Sequence, residues 1–139
     1  MNLYEQLIRD ERLILHAYPD SEGFWTIGVG RMIDLRKGGG ISHDEAIFLL
    51  QNDVLHVTGQ LAETFPWTQA LDEARRGALL NMAFNMGIHG LAEFHHMLGA
   101  LEQADYETAA QEMLSSKWAQ QVGARAERLA EQMRTGQWV

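Results

Sequence analysis

The sequence contains no cysteine and only two prolines among its 139 residues. Without cysteine, the chain has neither a disulfide framework nor thiolate ligands for a metal, so packing must stabilise its fold. No window approaches the roughly 20 consecutive apolar residues of a membrane-spanning helix. The N-terminus also lacks the apolar core of a secretory signal peptide. We therefore expect a single domain that is soluble where it is made.

Basic residues are scarce as well. Eleven Lys and Arg stand against nineteen Asp and Glu, which gives a formal net charge of -8. Such a field disfavours nucleic acid and anionic membrane surfaces as partners. Hydrophobic residues make up 46% of the chain, which is enough for one core and excludes a disordered protein. The composition predicts a globular protein with neither nucleic acid nor stable membrane association.

The N-terminal third changes its hydrophobic period twice. Helical spacing predicts a short helix that ends near Glu11 or Arg12. Alternation over residues 16–19 and 24–27, with turn residues at 20–23, predicts a small antiparallel hairpin. The period is then helical again, and we predict a small β lobe over about residues 13–41.

The rest of the sequence is helical in pattern. Ser42 followed by Glu45 is a capping-box pair that predicts the start of a long helix over about residues 42–62. Helical spacing continues over about 67–139, with Gly87 as a predicted stop. The fold class predicted is mainly α (α+β), with a small β lobe, a connecting helix and a helical lobe that includes the N-terminal helix.

Two acidic residues and a threonine frame the predicted hairpin. Glu11 ends the first helix, and Asp20 and Thr26 lie on or beside the hairpin. Carboxyl groups on both sides of a cleft suit glycosidic cleavage, in which one protonates the leaving oxygen and the other serves the opposite face of the sugar. Spacing alone is weak evidence among nineteen acidic residues. Asp20 also fits a turn residue, and Thr26 an ordinary strand residue.

Other conspicuous side chains have simpler interpretations. His89, His95 and His96 lack the ligand pattern of a metal site and are predicted to be surface residues. Trp118 and Trp138 are predicted to pack in the helical lobe, whereas Trp25 suits either packing or contact with a sugar. Methionines at helical spacing are predicted to fill the core, namely Met82, Met86, Met97, Met113 and Met133.

The residues around the hairpin resemble the catalytic motif of a known family. The pattern is Glu11, then Tyr18-x-Asp20-x-x-Gly23-x-x-Thr26-Ile27-Gly28-x-Gly30. It is similar to that of the phage-type lysozymes, glycoside hydrolase family 24. The similarity continues, in order, through blocks at residues 72–87, 109–118 and 125–138, and so covers nearly the whole chain.

The resemblance implies a muramidase that cuts the β-1,4 bond between N-acetylmuramic acid and N-acetylglucosamine. Glu11 would be the general acid, with its proton retained by apolar surroundings. Asp20 and Thr26 would activate water for a single-displacement, inverting reaction; a retaining reaction with Asp20 as nucleophile needs closer carboxyl groups. Supporting roles fall on Arg125, which would pair with the catalytic glutamate, and on the bends at Gly28 and Gly30. The expected substrate-binding residues are Met32, Phe84, Asn85 and Trp25.

The biology implied is that of a phage or prophage endolysin. It would act as a monomer without a cofactor on bacterial peptidoglycan, wait in the host cytoplasm without a signal peptide, and reach the periplasm and cell wall when a holin opens the membrane. An alternative is a catalytically retired module that binds the wall or serves a virion structure. A lytic transglycosylase is a third interpretation, and it would not need a water-activating carboxylate.

Three departures from the family pattern carry further expectations. Arg12 replaces the usual Gly after the catalytic Glu, so that the turn must stay helical or tolerate a side chain. Arg31 replaces a frequent His, and we predict that it forms an ion pair with Asp53. The segment 34–41 is short, which predicts a more open cleft.

The net charge of -8 generates a prediction about salt. An acidic enzyme is repelled by the anionic bacterial wall, so moderate salt or divalent cations should raise its activity on whole cells by screening that repulsion. Turbidity loss of permeabilised Gram-negative cells, measured over a salt series, checks this. A steep fall of activity with added salt would show that electrostatic attraction, not repulsion, dominates capture.

Overall fold

The computed structural model describes residues 2–139. The chain divides into two compact units, Met1–Leu50 and Gln51–Val139. Over the described residues, seven α-helices accompany one three-stranded antiparallel sheet. The prediction of a mainly α fold with a small antiparallel sheet is confirmed.

The N-terminal unit opens with helix α1, Leu3–Glu11. A capping box starts it: Asn2 Oδ1 accepts from the Glu5 N–H at 3.0 Å, and Glu5 Oε2 accepts from the Asn2 N–H at 2.9 Å. These bonds satisfy amide groups that a helix end leaves unpaired. The helix ends at Glu11, as the periodicity predicts.

Arg12 leaves the helix in a backbone conformation that suits glycine. Its φ is 70° and its ψ 146°, while its N–H still donates to the Ile8 carbonyl at 2.9 Å. Side chains rarely adopt this region, which costs of order 1–3 kcal/mol. The chain therefore tolerates an arginine at the residue that follows Glu11, and stores strain there.

The sheet consists of β1 (Leu13–Pro19), β2 (Trp25–Val29) and β3 (Arg31–Met32), paired antiparallel in the order β1-β2-β3. Thr26 in the central strand lies opposite Tyr18 on one side and Met32 on the other. The hairpin is therefore where the alternation predicts it, and its strands are longer. Gly30, at φ 61°, forms the tight turn between β2 and β3.

Helix α2, His43–Thr64, begins at the predicted capping box. The Glu45 N–H donates to Ser42 Oγ at 3.1 Å, and Glu45 Oε1 accepts from the Ser42 N–H at 3.2 Å. Residues 43–50 of the helix belong to the N-terminal unit, and the remainder to the C-terminal unit.

The predicted partner of Arg31 needs correction. The guanidinium pairs with Glu45 instead of Asp53: Nε donates to Glu45 Oε2 at 2.9 Å and Nη2 contacts the same oxygen. Ser42 holds the other oxygen of Glu45, which leaves Oε2 facing Arg31. Hydrogen bonds from Arg31 and then Ser42 lower the pKa of the Glu45 carboxyl.

The C-terminal unit is helical. A 3₁₀ turn at Pro66–Ala70 precedes helix α3 (Glu73–Ala92), which is interrupted at Gly87 with φ 81°. The remaining helices are α4 (His95–Glu102), α5 (Tyr106–Leu114), α6 (Lys117–Val122) and α7 (Ala124–Thr135). Gly87 thus breaks the helix where the sequence predicts a stop, and the chain resumes helical geometry directly after it.

The buried apolar core lies in the C-terminal unit. Met82, Met97, Met113 and Met133 are at most 1% exposed, and Trp118 is buried, as predicted. The predicted surface histidines, His89, His95 and His96, are exposed. Other buried core residues include Leu61, Leu79, Leu91, Leu98, Leu101 and Leu129.

Two residues that were predicted to pack inside this unit, Met86 and Trp138, do so only in part. Met86 is only partly buried at the edge of the core. Trp138 is mostly exposed, although its ring lies so close to Gly77 that any side chain there would collide with it.

None of the described helices is long and apolar enough to cross a membrane.

The strain at Arg12 generates a stability prediction. Arg12→Gly should raise the free energy of unfolding by about 1 kcal/mol, because glycine adopts positive φ without steric cost. Gln6→Gly, in the middle of α1, should instead lower it by about 1 kcal/mol. Chemical denaturation followed by circular dichroism compares the two, and destabilisation by both substitutions would contradict strain at Arg12.

Candidate active site

The first candidate residue, Glu11, lies against the β2–β3 turn. A Cβ built on Gly30 would stand 2.5 Å from Oε2 of Glu11, closer than real Cβ atoms come to a neighbour, and 3.0 Å from both its Cβ and Cδ. Gly30 also has φ 61°. The turn can approach the Glu11 side chain this closely only because residue 30 has no side chain.

Asp20 has one carboxylate oxygen committed to the backbone. Its Oδ1 accepts from the Glu22 N–H and the Phe24 N–H, both at 2.9 Å. The predicted turn role of Asp20 is thus confirmed. Its other oxygen, Oδ2, accepts no hydrogen bond from the described residues of the N-terminal unit. The side chain is therefore held in one orientation while Oδ2 stays available to a ligand or a water molecule.

Thr26 is buried, and the direction of its hydroxyl is fixed. Thr26 Oγ1 donates to the Phe24 carbonyl at 3.1 Å, while the residue is 5% exposed. Because its proton is committed to that carbonyl, the hydroxyl oxygen is left as an acceptor. A water molecule beside Thr26 would donate to this oxygen.

The peptide groups of Phe24 connect the two hairpin residues. The Phe24 N–H donates to Asp20, and the Phe24 carbonyl accepts both from the Asp20 N–H, at 2.8 Å, and from Thr26. Sequence reasoning missed Phe24, because its contribution comes from the backbone. The available signal is Asp20 six residues before a strand Thr, with an Asx-type turn between them.

The two remaining hairpin candidates lie on different faces of the sheet. Met32 pairs directly with Thr26, so both side chains lie on one face. Trp25 immediately precedes Thr26 in the strand and faces the other way, where its side chain lies against Gly39. Contact of Trp25 with substrate stays a prediction, and it would involve the opposite face of the sheet. Gly28, with φ 72°, bends the strand in open space.

The shortened segment predicted to open the cleft folds back onto the hairpin. Lys37 Nζ lies 5.7 Å from the centre of the Phe24 ring, a cation–π distance. Arg36 binds Asp34 within the segment, and hydrogen bonds from Arg36 lower the pKa of the Asp34 carboxyl. Sequence reasoning missed Lys37, which links this segment to the turn that holds Asp20.

The candidates of the C-terminal unit are anchored by helix α3. Phe84 is exposed, and Asn85 Oδ1 accepts from Trp118 Nε1 at 2.9 Å. Because an indole N–H only donates, the amide oxygen must face Trp118, and the Asn85 NH₂ is left to donate. Asn85 is therefore suited to bind a carbonyl, such as that of an acetamido group.

Arg125 is held by a residue that sequence reasoning missed. Its Nε and Nη2 donate to Asn81 Oδ1 at 3.0 and 2.7 Å. The signal in the sequence is the spacing of Asn81 and Asn85, one helical turn apart. The pairing of Arg125 with Glu11 stays a prediction.

The closeness of Gly30 to Glu11 generates a prediction with an internal control. Gly30→Ala should displace the Glu11 side chain and reduce peptidoglycan hydrolysis, the activity that the resemblance implies, by roughly 100-fold. Gly28→Ala shares the strain of positive φ, but a Cβ there meets nothing within 4 Å. Equal losses in the two variants, assayed where both are folded, would show that backbone strain alone is responsible.

Comparison with known proteins finds similar sequences over most of the chain. The family model described as phage lysozyme matches residues 9–134. The chain is 34% identical, over 98% of its length, to the pre-baseplate central spike protein Gp5 of Enterobacteria phage T4, of which it covers 28%. It is 28% identical to probable T4-type lysozyme 1 of Dictyostelium discoideum, covering 97% of this chain and 95% of that protein.

A third relative is an endolysin of Acyrthosiphon pisum secondary endosymbiont phage 1. It is 30% identical over 79% of this chain and 72% of its own length. The chain thus spans about a quarter of the spike protein but nearly all of the Dictyostelium lysozyme. Since the family model covers most of the sequence, this chain belongs to the phage lysozyme family.

Proposed function

We propose that this protein is an N-acetylmuramidase that hydrolyses the β-1,4 bond between N-acetylmuramic acid and N-acetylglucosamine in peptidoglycan. One observation carries the proposal: the backbone fixes Asp20 through Oδ1 and leaves Oδ2 without a partner among the described residues of its unit, next to a strand whose buried Thr26 offers a hydroxyl acceptor. A carboxylate and a hydroxyl held in this way are better suited to binding a water molecule than to serving only as solvated surface groups.

In the proposed reaction, Glu11 donates its proton to the glycosidic oxygen as the bond to the anomeric carbon breaks. A water molecule donates hydrogen bonds to Asp20 Oδ2 and Thr26 Oγ1 and attacks that carbon from the opposite face. Asp20 accepts the proton that the water loses. This single displacement inverts the anomeric configuration.

The stereochemistry separates this reaction from a retaining one. Freshly released reducing ends should be the α anomer if water attacks directly and the β anomer if Asp20 forms a covalent intermediate. Proton NMR in the first minutes of digestion, before mutarotation, distinguishes the two. Anhydro-muramic ends in mass spectra would instead indicate a lytic transglycosylase.

The biological role proposed is that of an endolysin. Its likeness to a phage endolysin supports this role. The enzyme would act as a monomer, be held in the host cytoplasm, and reach the cell wall after a holin opens the membrane.

A second candidate function is a module of a virion structure. The likeness to the central spike protein extends over 98% of this chain, so the same fold also occurs inside a longer structural protein. A module of this kind would bind the wall or hold a place in an assembly, with or without hydrolysis.

Substitution of the acid and its partner tests the main proposal. Glu11→Gln and Asp20→Asn should each lower the rate of peptidoglycan hydrolysis by about 10²–10⁴-fold, since each removes a proton-transfer group and keeps the side-chain shape. The measurement is turbidity loss of chloroform-treated Gram-negative cells, together with release of reducing ends.

The matched control is Asp10→Asn, which alters the neighbouring acidic residue, bound to Arg9, and should leave the rate unchanged. Full activity of Glu11→Gln would exclude the mechanism. Absence of activity in the unsubstituted protein would favour the virion module.

A further inference from the structure

The chain that follows the sheet returns to the hairpin. The Ile33 N–H donates to the Trp25 carbonyl at 2.8 Å. The backbone at Gly39 lies so close to the Trp25 side chain that a Cβ there would stand 3.2 Å from it. Lys37 lies between these two contacts in the sequence. All of these residues belong to the N-terminal unit, so the segment and the hairpin are parts of one compact body.

The side chain of Lys37 lies beside the turn between β1 and β2. Its Nζ is 5.7 Å from the centre of the Phe24 ring, within the range of a cation–π contact. A Cβ built on Gly23 would stand 3.9 Å from Cδ, Cε and Nζ of Lys37, which is an ordinary van der Waals distance. Both the ammonium group and the end of the aliphatic stem are therefore close to the turn.

Apolar packing does little to fix the Phe24 ring. Phe24 is partly exposed, and Thr26 is the only buried residue among those described in the N-terminal unit. The described part of this unit therefore has no buried apolar side chain that could anchor the turn. In such surroundings, one contact between a lysine and the ring restricts the motion of the ring more than it would inside a packed core.

The backbone of Phe24 carries the effect of the ring to the candidate site. Its N–H donates to Asp20 Oδ1, and its carbonyl accepts from Thr26 Oγ1. The rotamer of a side chain and the φ and ψ of its own residue depend on each other. A ring held by Lys37 therefore helps to keep both peptide groups of Phe24 aligned with Asp20 and Thr26.

We propose that Lys37 is a positioning residue for the hydrolysis: it holds the Phe24 ring and so keeps Asp20 and Thr26 oriented for the attacking water. The inference rests on the proposed function, and Lys37 itself transfers no proton. Without the cation, Asp20 and Thr26 keep their chemistry but spend less time in the productive orientation. The loss should therefore fall on kcat and not on KM.

Kinetics on soluble peptidoglycan fragments test this with two substitutions of the lysine. Lys37→Met keeps an unbranched side chain but removes the charge. It should lower kcat by about two- to fivefold, the loss that an exposed cation–π contact allows, and change KM by less than about twofold. Lys37→Arg keeps a cation over the ring and should retain most of the activity. The control is Arg128→Met, which removes an exposed charge from α7 and should leave kcat unchanged.

A double-mutant cycle separates contact with the ring from a direct effect of the charge. Phe24→Leu removes the ring, so Lys37→Met should cause no further loss in that background. An equal loss in both backgrounds would show that the ammonium acts on Asp20 or on the substrate directly, and would overturn the proposal. Full activity of Lys37→Met, or a Lys37→Arg variant no more active than Lys37→Met, would also overturn it. If Phe24→Leu does not fold, Phe24→Met takes its place in the cycle.

Amide hydrogen exchange gives a readout that does not depend on activity. Because the Phe24 N–H is bonded to Asp20, its exchange rate, measured by NMR, should rise in Lys37→Met and return in Lys37→Arg. Exchange that is the same in all three proteins would exclude a role of Lys37 in holding the turn, even if kcat falls.

The failure of this proposal can be told from that of the proposed function. If Glu11→Gln is as active as the unsubstituted protein, the acid mechanism falls, and with it the reaction that Lys37 is proposed to serve. If Glu11→Gln is inactive while Lys37→Met is fully active, only the role of Lys37 falls.

Discussion

The hydrogen bonds between Asp20 and the backbone of Phe24 are the constraint on which the candidate site of the N-terminal unit depends. They close the hairpin turn, fix the carboxylate, and bring the Phe24 carbonyl to the Thr26 hydroxyl. Oδ1 of Asp20 serves the turn, so that Oδ2 would be left for the role proposed for it. The turn that shapes the sheet also orients the candidate residues Asp20 and Thr26.

In the C-terminal unit, two neutral amide side chains are likewise bound through one of their polar atoms. The amide oxygens of Asn81 and Asn85 are bound within the unit, and the groups left over are donors. Donors left over in this way would suit acceptor groups on a ligand, such as carbonyls and carboxylates, because a polar group left without a partner on binding costs more than a missing contact.

The sequence predicts helix starts, turns and helix breaks well because each depends on residues that are close together in the chain. The Ser42–Glu45 capping box and the break at Gly87 are short-range effects of hydrogen bonding and backbone freedom. Asp20 was identified both as a turn residue and as a candidate carboxylate. For Arg12 the sequence leaves two possibilities, a helical conformation or a turn that tolerates a side chain. The structure has the second, with φ 70°, because the chain leaves the helix there and enters β1 directly.

Contacts between distant elements were not predictable in the same way. A flexible arginine at position 31 can reach several carboxylates, and periodicity does not rank Glu45 above Asp53. The bond of Arg125 to Asn81 depends on how two helices cross. For Trp118, the need for an acceptor follows from the sequence, because a buried indole N–H requires one. The identity of that acceptor, Asn85, does not.

The placement of the methionines has a consequence for oxidation. Four of them lie in the core, where peroxide reaches the sulfur only when the unit opens, so their sulfoxides would record unfolding events. Met32 is 39% exposed and sits across the strand from Thr26. With no cysteine to compete for the oxidant, mild peroxide would convert this thioether into a polar, chiral sulfoxide before it reached the other described methionines. Oxidative inactivation would then begin beside the hairpin hydroxyl, while the helical core was still intact.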